Sequence, residues 1–434
     1  MPNLIDIVEV AEALESKAVY LASDRCVVVR NRHASCAKCA DACPTGSVFA
    51  ANNVLELDGE GCVACGACTT VCPVEALIPL RPLDEDLASS VASAVAATGG
   101  KAVFACARIA SKRLADPAKY AEVPCLARME ESVLLGLAAR GVEDIVLVDG
   151  TCATCKFRAN VPGIDATVAS ANDLMAAMGS DVRVERSSAF PDELLLEDKR
   201  TLLGESRRGF FTSARTRAKD AAGKTAEVMV FKHDDAAPSL RERLRMSDSG
   251  TLPQFNPQRR MLVLDAMDRL GAPTVPEIDT RLFGSVSIDT QACSSCNMCT
   301  VFCPTGALRK SELVPEEGEG SFLEFSAADC VQCNLCADAC LKSCLTVSST
   351  VSTEELFDFE PRLIHLPNPP ARPGILSSLR RKRSEGLIIG SKTRNSARKR
   401  VFGPMIRPRL LSTGFSARFL NCIFLLYKSY CIKK

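Results

Sequence analysis

The predicted architecture of this chain starts from one run, Cys62-Val-Ala-Cys65-Gly-Ala-Cys68-Thr-Thr-Val-Cys72-Pro73. Three cysteines separated by two residues each can wrap a tight loop around a metal core, so that each thiolate binds a different iron of one cube. Gly66 suits such a loop, because glycine adopts backbone torsions that other residues resist. The fourth cysteine lies one helical turn further on and points toward a neighbouring centre. The spacing therefore predicts a [4Fe–4S] cluster beside a second one.

The same spacing recurs in full at two places in the C-terminal half. The copies are Cys293, Cys296, Cys299, Cys303 and Cys330, Cys333, Cys336, Cys340. Because the fourth cysteine of each run ligates the other cluster, three complete ligand sets are predicted. They are Cys62, Cys65, Cys68 with Cys43; Cys293, Cys296, Cys299 with Cys340; and Cys330, Cys333, Cys336 with Cys303. Zinc sites instead pair two distant C-x2-C units. The last run is followed by Leu341 in place of proline, and Cys344 is a spare thiol.

A further copy, near the N-terminus, is altered. His33 stands where the first cysteine belongs, ahead of Cys36 and Cys39. With Cys72 from the neighbouring run, this leaves one ligand position open. Either Cys26 or the imidazole of His33 completes the set, and histidine ligation would raise the potential. If neither binds, a [3Fe–4S] centre results and Cys26 is an ordinary buried cysteine. If Cys26 binds, three nearby basic residues raise the potential of this centre. They are Arg30, Arg32 and His33.

The chain has 434 residues and 23 cysteines. Their close spacing favours metal ligation over a disulfide framework. The N-terminal residues lack the basic start and apolar run of a signal peptide. The chain also has no run of 18 apolar residues, so no membrane span is predicted. A cytoplasmic location in an anaerobic setting is therefore expected.

Between the cysteine-rich regions, strands alternate with helices. Buried-type strands are predicted at 102–106, 144–149 and 182–184, and helices at 84–97, 126–140 and 171–178. This alternation is typical of a parallel sheet in an α/β layer. Four cysteines lie at or after the predicted strand ends or directly before a helix. They are Cys106, Cys125, Cys152 and Cys155. Strand ends of a parallel sheet share one edge, so these four thiols should meet. They suit a [2Fe–2S] cluster or zinc; a redox-active Cys152–Cys155 pair and purely structural cysteines are the alternatives.

The predicted fold is α+β ferredoxin-like modules at both ends of an α/β domain. The expected units are a two-cluster module at 1–82, the α/β domain at 83–189, a helical connector at 190–282, a second two-cluster module at 283–360 and a basic, disordered tail at 361–434. A short helix is expected within 3–16, a strand at 26–30 and an amphipathic helix at 257–270. Residues 375–434 hold 15 Lys and Arg against one acid, whereas 1–374 has a net charge of −13. The tail is either a solvated segment, an anchor for nucleic acid or anionic membrane, or a translated out-of-frame end.

Two resemblances follow from these residues. Residues 26–80 and 283–350 resemble bacterial 2[4Fe–4S] ferredoxin domains. Residues 101–186 resemble the delta subunit of methyl-viologen-reducing hydrogenases, a domain also found with heterodisulfide reductase-like complexes. Cys106, Cys125 and Gly150-Thr-Cys152-Ala-Thr-Cys155 carry this second resemblance. It implies a [2Fe–2S] centre that passes electrons between a hydrogenase or dehydrogenase and a flavin-bearing partner.

The expected function is electron conduction through four cubane-type clusters and one further cluster. No phosphate-binding loop, dinucleotide fingerprint or Ser/His/Asp set is visible, so no catalytic residue and no small-molecule substrate is predicted. The expected partners are hydrogenase, dehydrogenase or flavin-containing reductase subunits, and nucleic acid is not among them. The alternative is a reductase that uses the Cys152–Cys155 dithiol or the His33-region cluster as its active site. A zinc-bearing structural scaffold is a third class.

Overall fold

The computed structural model describes residues 18–196, 240–247, 250–315 and 320–368. All of them lie in one compact unit, 1–370. The predicted helix within 3–16, residues 197–239 of the predicted connector and the basic tail from 375 onward lie outside the described residues.

The N-terminal region consists of two antiparallel ribbons with short helices between them. Its elements are β1 (Val19–Leu21), α1 (Val27–Arg30), α2 (Lys38–Asp41), β2 (Val48–Ala51), β3 (Val54–Leu57), α3 (Ala67–Val71) and β4 (Leu77–Pro79). β1 pairs with β4, and β2 pairs with β3. The first and last strands therefore close the module around the cysteine loops.

The predicted strand at 26–30 is wrong, because Val27–Arg30 is a helical turn. β-branched residues favour strands mainly where a neighbouring strand and a half-buried face are available. Here the three valines are buried, and the Asn53 amide donates to the backbone oxygens of Val28 and Val29. Burial and this side-chain hydrogen bond replace the missing strand partner.

The central region is a four-stranded parallel sheet with helices packed on it. Its elements are α4 (Asp84–Thr98), β5 (Lys101–Cys106), α5 (Ala107–Ala110), β6 (Ala121–Val123), α6 (Glu131–Ala138), β7 (Asp144–Val148), α7 (Val161–Ala177) and β8 (Arg183–Ser187). The strand order is β6-β5-β7-β8, and every pairing is parallel. Phe104, Ile145 and Leu147 are fully buried, as expected for strands covered on both faces. The predicted parallel sheet is therefore present.

Two predicted helices of this region differ in extent. The one predicted at 126–140 is a 3-10 turn at Leu126–Arg128 followed by α6, because Met129 and Glu130 are extended. The one predicted at 171–178 begins earlier, at Val161, with proline in its first turn. Proline suits the first turn, where a backbone N–H has no helical acceptor.

The described part of the connector holds α8 (Leu240–Arg243) and α9 (Gln258–Leu270). The apolar face of α9 predicted from the sequence is buried through Val263, Leu264 and Met267. These side chains belong to the same core as the parallel sheet. α9 is therefore packed as part of the central region.

The C-terminal region repeats the plan of the first. Its elements are β9 (Glu277–Asp279), β10 (Ser285–Ile288), α10 (Met298–Phe302), β11 (Leu308–Lys310), β12 (Ser321–Phe325), α11 (Leu335–Asp338), β13 (Leu345–Ser348), β14 (Thr350–Ser352), α12 (Thr353–Asp358) and β15 (Arg362–Leu366). β10 pairs with β13 as β1 pairs with β4, and β11 pairs with β12 as β2 pairs with β3. β15 adds to the edge of β12, so the predicted start of the disordered tail at 361 is wrong. The rings of Phe322 and His365 make a T-shaped contact, and Leu366 is buried. Both contacts hold β15 in place.

Candidate metal centres

In the C-terminal region, each cavity lined by cysteines contains thiols from both cysteine runs, the one at 293–303 and the one at 330–340. One is lined by Cys303 together with Cys330, Cys333 and Cys336. The other is lined by Cys293, Cys296, Cys299, Cys340 and Cys344. The helices α10 and α11 contact each other, which carries the fourth cysteine of each run across to the other loop. The structure thus groups these thiols in the same sets as the crossing rule, with Cys344 as an additional member.

The three regular loops share a backbone shape. In each, the residue before the second cysteine and the residue after it have positive φ. They are Ala64 and Gly66, Ser295 and Asn297, and Gln332 and Asn334. Gly66 also leaves no room for a side chain, because a β carbon there would lie 2.9 Å from the Arg128 Cα. Left-handed torsions at these two points curl each loop around the space that its three thiols face.

The altered loop lacks this shape. The corresponding residues are Ser35 and Ala37; φ of Ala37 is −122°, and neither has positive φ. His33 is exposed: its amide donates to Asn31 Oδ1 at 2.9 Å, and its Nε2 accepts from Arg32 Nε at 3.3 Å. The loop therefore turns His33 toward the surface, away from the place that Cys62 holds in the neighbouring run.

Cys26 lies with the other three thiols of the altered set. One cavity is lined by Cys26, Cys36, Cys39 and Cys72, together with Lys38 and apolar side chains. Cys26 is the residue directly before the helical turn α1, and it is buried. Burial raises the pKa of Cys26 to about 11, with backbone N–H groups of Val29 and Val28 opposing the rise. The turn that replaces the predicted strand thus carries Cys26 to the other three thiols.

The regular N-terminal set also comes together. Burial raises the pKa of Cys68, and the neighbouring thiolates raise it further. Those neighbours are Cys65, Cys62, Cys39 and Cys43. At Cys43, burial is outweighed by hydrogen bonds from Thr45 and Ser47, which lower the pKa of its thiol. Cys43 therefore lies with Cys62, Cys65 and Cys68. Cys39, the remaining neighbour of Cys68, belongs to the altered set.

The edge of the parallel sheet gathers the remaining four predicted ligands. Cys106 pairs with Val123 at the carboxyl end of the sheet, so Cys125 lies two residues past the same edge. Burial raises the pKa of Cys125, and nearby Cys106 and Cys155 raise it further. Burial and then the Asp149 carboxylate raise the pKa of Cys152, with smaller contributions from Cys125 and Cys106. The 151–154 turn is held by the Arg108 guanidinium, which donates to Thr151 O at 3.1 Å and to Thr154 Oγ1 at 3.0 Å.

The chemistry of these donor sets fits iron–sulfur cores. Burial raises the pKa of Cys39, Cys152, Cys299 and Cys330 to about 12. Groups of buried thiolates repel one another and lose hydration, so a positively charged core is needed to hold them. Among the residues that the structure describes, no three Cys, His, Asp or Glu side chains converge as they would around a single ion.

Sequence patterns gave no sign of two polar residues beside these thiols. Asn160 is buried, and its Nδ2 lies 3.6 Å from Cys125 Sγ. Its side chain also opposes the rise in the pKa of Cys65 that burial causes. Arg128 is fully buried behind Gly66 and forms an ion pair with Asp84. Nothing in the local sequence marks either residue, because both meet the thiols through packing of separate regions.

Two family models match within the chain. The model of the 4Fe-4S dicluster domain matches residues 292–344, and that of the 4Fe-4S binding domain matches 55–78. A curated relative, a subunit of the ion-translocating oxidoreductase complex of Methanosarcina acetivorans, is 43% identical over 42 residues, 10% of this chain and 16% of that protein. Ferredoxins of Mycolicibacterium smegmatis and Streptomyces griseus are each 34% identical over 58 residues, 13% of this chain and 50% of theirs. No solved structure matches the chain.

The chain therefore contains ferredoxin-type 4Fe–4S domains before and after the parallel sheet. It spans about half the length of the ferredoxins and 16% of the oxidoreductase subunit that it matches. The resemblance of 101–186 to the hydrogenase delta subunit stays a prediction. In the described part of the chain, no helix is both long and apolar enough to cross a membrane.

Proposed function

We propose that this chain is a multi-centre electron carrier that relays electrons between a dehydrogenase or hydrogenase and a partner reductase. The observation that carries the proposal is the presence of several multi-cysteine sites within one compact unit. Three are cavities lined by at least four cysteines, a fourth is the Cys43 set, and a fifth lies at the sheet edge. Several adjacent centres in one body suit conduction, whereas a catalyst needs one site open to its substrate.

Four of the sites would hold [4Fe–4S] clusters. For the altered set, the ligands that we propose are Cys26, Cys36, Cys39 and Cys72. Its cavity supports Cys26 over His33, since His33 is exposed and does not line it. Such clusters accept and release one electron each without proton transfer by the protein. The cysteines would hold the core, and the buried apolar walls would keep water away from it and so tune its potential.

The fifth site would hold a [2Fe–2S] cluster on Cys106, Cys125, Cys152 and Cys155. The reductase alternative needs a thiol of lowered pKa at Cys152 or Cys155. Burial, followed by the Asp149 carboxylate, instead raises the pKa of Cys152 to about 12. That environment suits a metal-bound thiolate better than a reactive dithiol.

The partners would be other redox proteins. The matched relative from Methanosarcina acetivorans bears the name of an oxidoreductase complex, and the net charge of −13 on residues 1–374 suits docking on basic surfaces. A cytoplasmic complex is part of this proposal.

Anaerobic purification followed by iron analysis and visible absorption tests the proposal. The expected result is a brown protein with about 18 iron per chain, four for each cube and two for the edge site. Zinc in place of iron, or a colourless protein after reconstitution with iron and sulfide, would overturn it. Turnover of a disulfide substrate by the isolated chain would favour the reductase.

A further inference from the structure

The N-terminal and C-terminal ferredoxin regions meet at a specific contact. Ser35 N donates to Asp338 Oδ2 at 2.7 Å, and Ser35 Oγ donates to the same carboxylate at 2.9 Å. Lys38 Nζ donates to Gln332 O at 3.4 Å. Ser35 and Lys38 flank Cys36, and Gln332 directly precedes Cys333. The contact therefore joins the loop of one predicted centre to the loop of another.

The apolar surroundings of the two loops are continuous. Val331 and Leu335 are buried in the same core as Cys26, Cys39 and Cys72, and Cys333 packs against that core. Gln332 is fixed by its own side chain, whose Nε2 donates to Thr280 O at 3.1 Å and to Phe283 O at 3.3 Å. The junction is therefore a packed interface that holds both loops in place.

Arg30 is a buried charged group near this junction. It is 7% exposed, and its Nη1 donates to Asp24 O at 3.3 Å. Its Nε and Nη2 are buried without a hydrogen-bond partner among the described residues. Although burial lowers the pKa of Arg30, the thiolates that oppose this effect are Cys303 and Cys333 of the other region. A buried guanidinium without a partner is costly unless an anion faces it.

We propose that electrons cross between the two ferredoxin regions at this junction, from the Cys26–Cys36–Cys39–Cys72 centre to the Cys303–Cys330–Cys333–Cys336 centre or back, and that Arg30 raises the potential of the latter. The inference rests on the proposed function. One electron moves per step, so that one centre is oxidised as the other is reduced, and no bond forms or breaks. Arg30 belongs to the first region by sequence and acts on the second.

The neighbouring thiols extend this step into a line of five centres. Thr70 Oγ1 on α3 donates to Ala127 O, two residues past Cys125, at 3.3 Å, and α3 contacts α2. Lys38 on α2 donates to Gln332 O, next to Cys333, and α11 contacts α10. The line therefore begins at the sheet edge and ends at the Cys293–Cys296–Cys299 loop. The two ends are the places where donor and acceptor proteins would dock.

The test uses the full chain, purified anaerobically, reduced stepwise with dithionite and followed by EPR. The signal of the Cys330 centre is identified by its change in Cys333→Ser. In Arg30→Met, we expect the ratio of reduced to oxidised form of this centre to fall about tenfold at a fixed potential, which corresponds to about 59 mV for one electron. Arg30→Lys should largely restore the ratio, and Arg32→Met, which removes an exposed charge nearby, should leave it unchanged.

A second variant tests the junction without touching the buried cation. Asp338→Ala removes the contact with Ser35, so the magnetic interaction between the two reduced centres should weaken. Asp41→Ala, an exposed acid on α2, is the control. Equal shifts in Arg30→Met and Arg32→Met, or no magnetic interaction in the unchanged chain, would overturn the inference while the iron content stays at its full value. A chain without iron would instead overturn the proposed function.

Discussion

The side-chain amide of Asn160 lies between two cysteines from different regions. Its Nδ2 donates to Cys125 Sγ at 3.6 Å, and the same side chain opposes the rise in the pKa of Cys65 that burial causes. Cys65 belongs to the first ferredoxin region and Cys125 to the parallel-sheet edge. Close by, Thr70 Oγ1 donates to Ala127 O at 3.3 Å, so α3 is fixed against the turn that follows Cys125. The sheet-edge site and the nearest cubane site are therefore joined by a polar contact as well as by packing.

Replacing Asn160 with leucine should lower the potential of the sheet-edge centre, since hydrogen bonds to the ligand sulfurs raise it. Iron content should remain unchanged. EPR-monitored redox titration measures the effect. Asn172→Ala is the matched control, because Asn172 lies on α7, the helix that begins directly after Asn160, and hydrogen-bonds to Val184 of β8 instead of a thiol. That control should cost about 1–3 kcal/mol of unfolding free energy without moving the potential. Equal potentials in both variants would contradict this role for Asn160.

Replacing Cys26 with serine should alter the EPR spectrum of the N-terminal centres and lower the iron content by about one iron, as for a cube that loses one ligand. His33→Ala should leave both unchanged, because its imidazole is exposed. Iron analysis and EPR on the two variants provide the measurement. A changed spectrum in His33→Ala with an unchanged one in Cys26→Ser would reverse the assignment.

Cys340 and Cys344 should be able to substitute for each other. Their sulfurs are 3.4 Å apart and both line the cavity of Cys293, Cys296 and Cys299. Cys340→Ser and Cys344→Ser should each keep the full iron content, whereas the double variant should lose up to about four iron, the content of one cube. If either single variant loses as much iron as the double one, the two thiols are not interchangeable.

Glu75→Ala should destabilise the contact between the first region and α9. The Glu75 carboxylate accepts from the amides of Gln258 at 3.0 Å and Arg259 at 2.8 Å, which are the first two residues of that helix. Loss of such a cap costs about 0.5–2 kcal/mol. The expected result is a lower midpoint of thermal unfolding for the anaerobic, cluster-loaded chain.

Glu60→Ala provides the comparison for that experiment. Glu60 is an exposed acid in the same region, so its removal changes the charge equally without removing a helix cap. The two variants should differ in unfolding midpoint, and identical midpoints would contradict a capping role for Glu75.

Local spacing was enough to predict which cysteines belong to each loop, because the separation of Cys62, Cys65 and Cys68 is a property of a few adjacent residues. The amino-acid pattern also predicted the parallel sheet and the edge where Cys106 and Cys125 meet, since strand ends of such a sheet always share an edge. Periodicity sufficed for these elements because their burial pattern follows their own backbone geometry.

The position of Cys26 depended on long-range packing. The valines after it are typical of a strand, but burial and the Asn53 side chain make them a helical turn. Propensity describes a residue in an average environment, and packing overrode it here.

The junction between the two ferredoxin regions exists only in the folded chain. Ser35 and Asp338 are 303 positions apart, and nothing in either local sequence refers to the other. Burial of Arg30 beside Cys303 and Cys333 is likewise a product of packing between distant segments. Local spacing therefore specifies each three-cysteine loop, whereas the complete ligand sets and the order of the centres follow from how the folded regions pack, because only long-range contacts bring separate loops together.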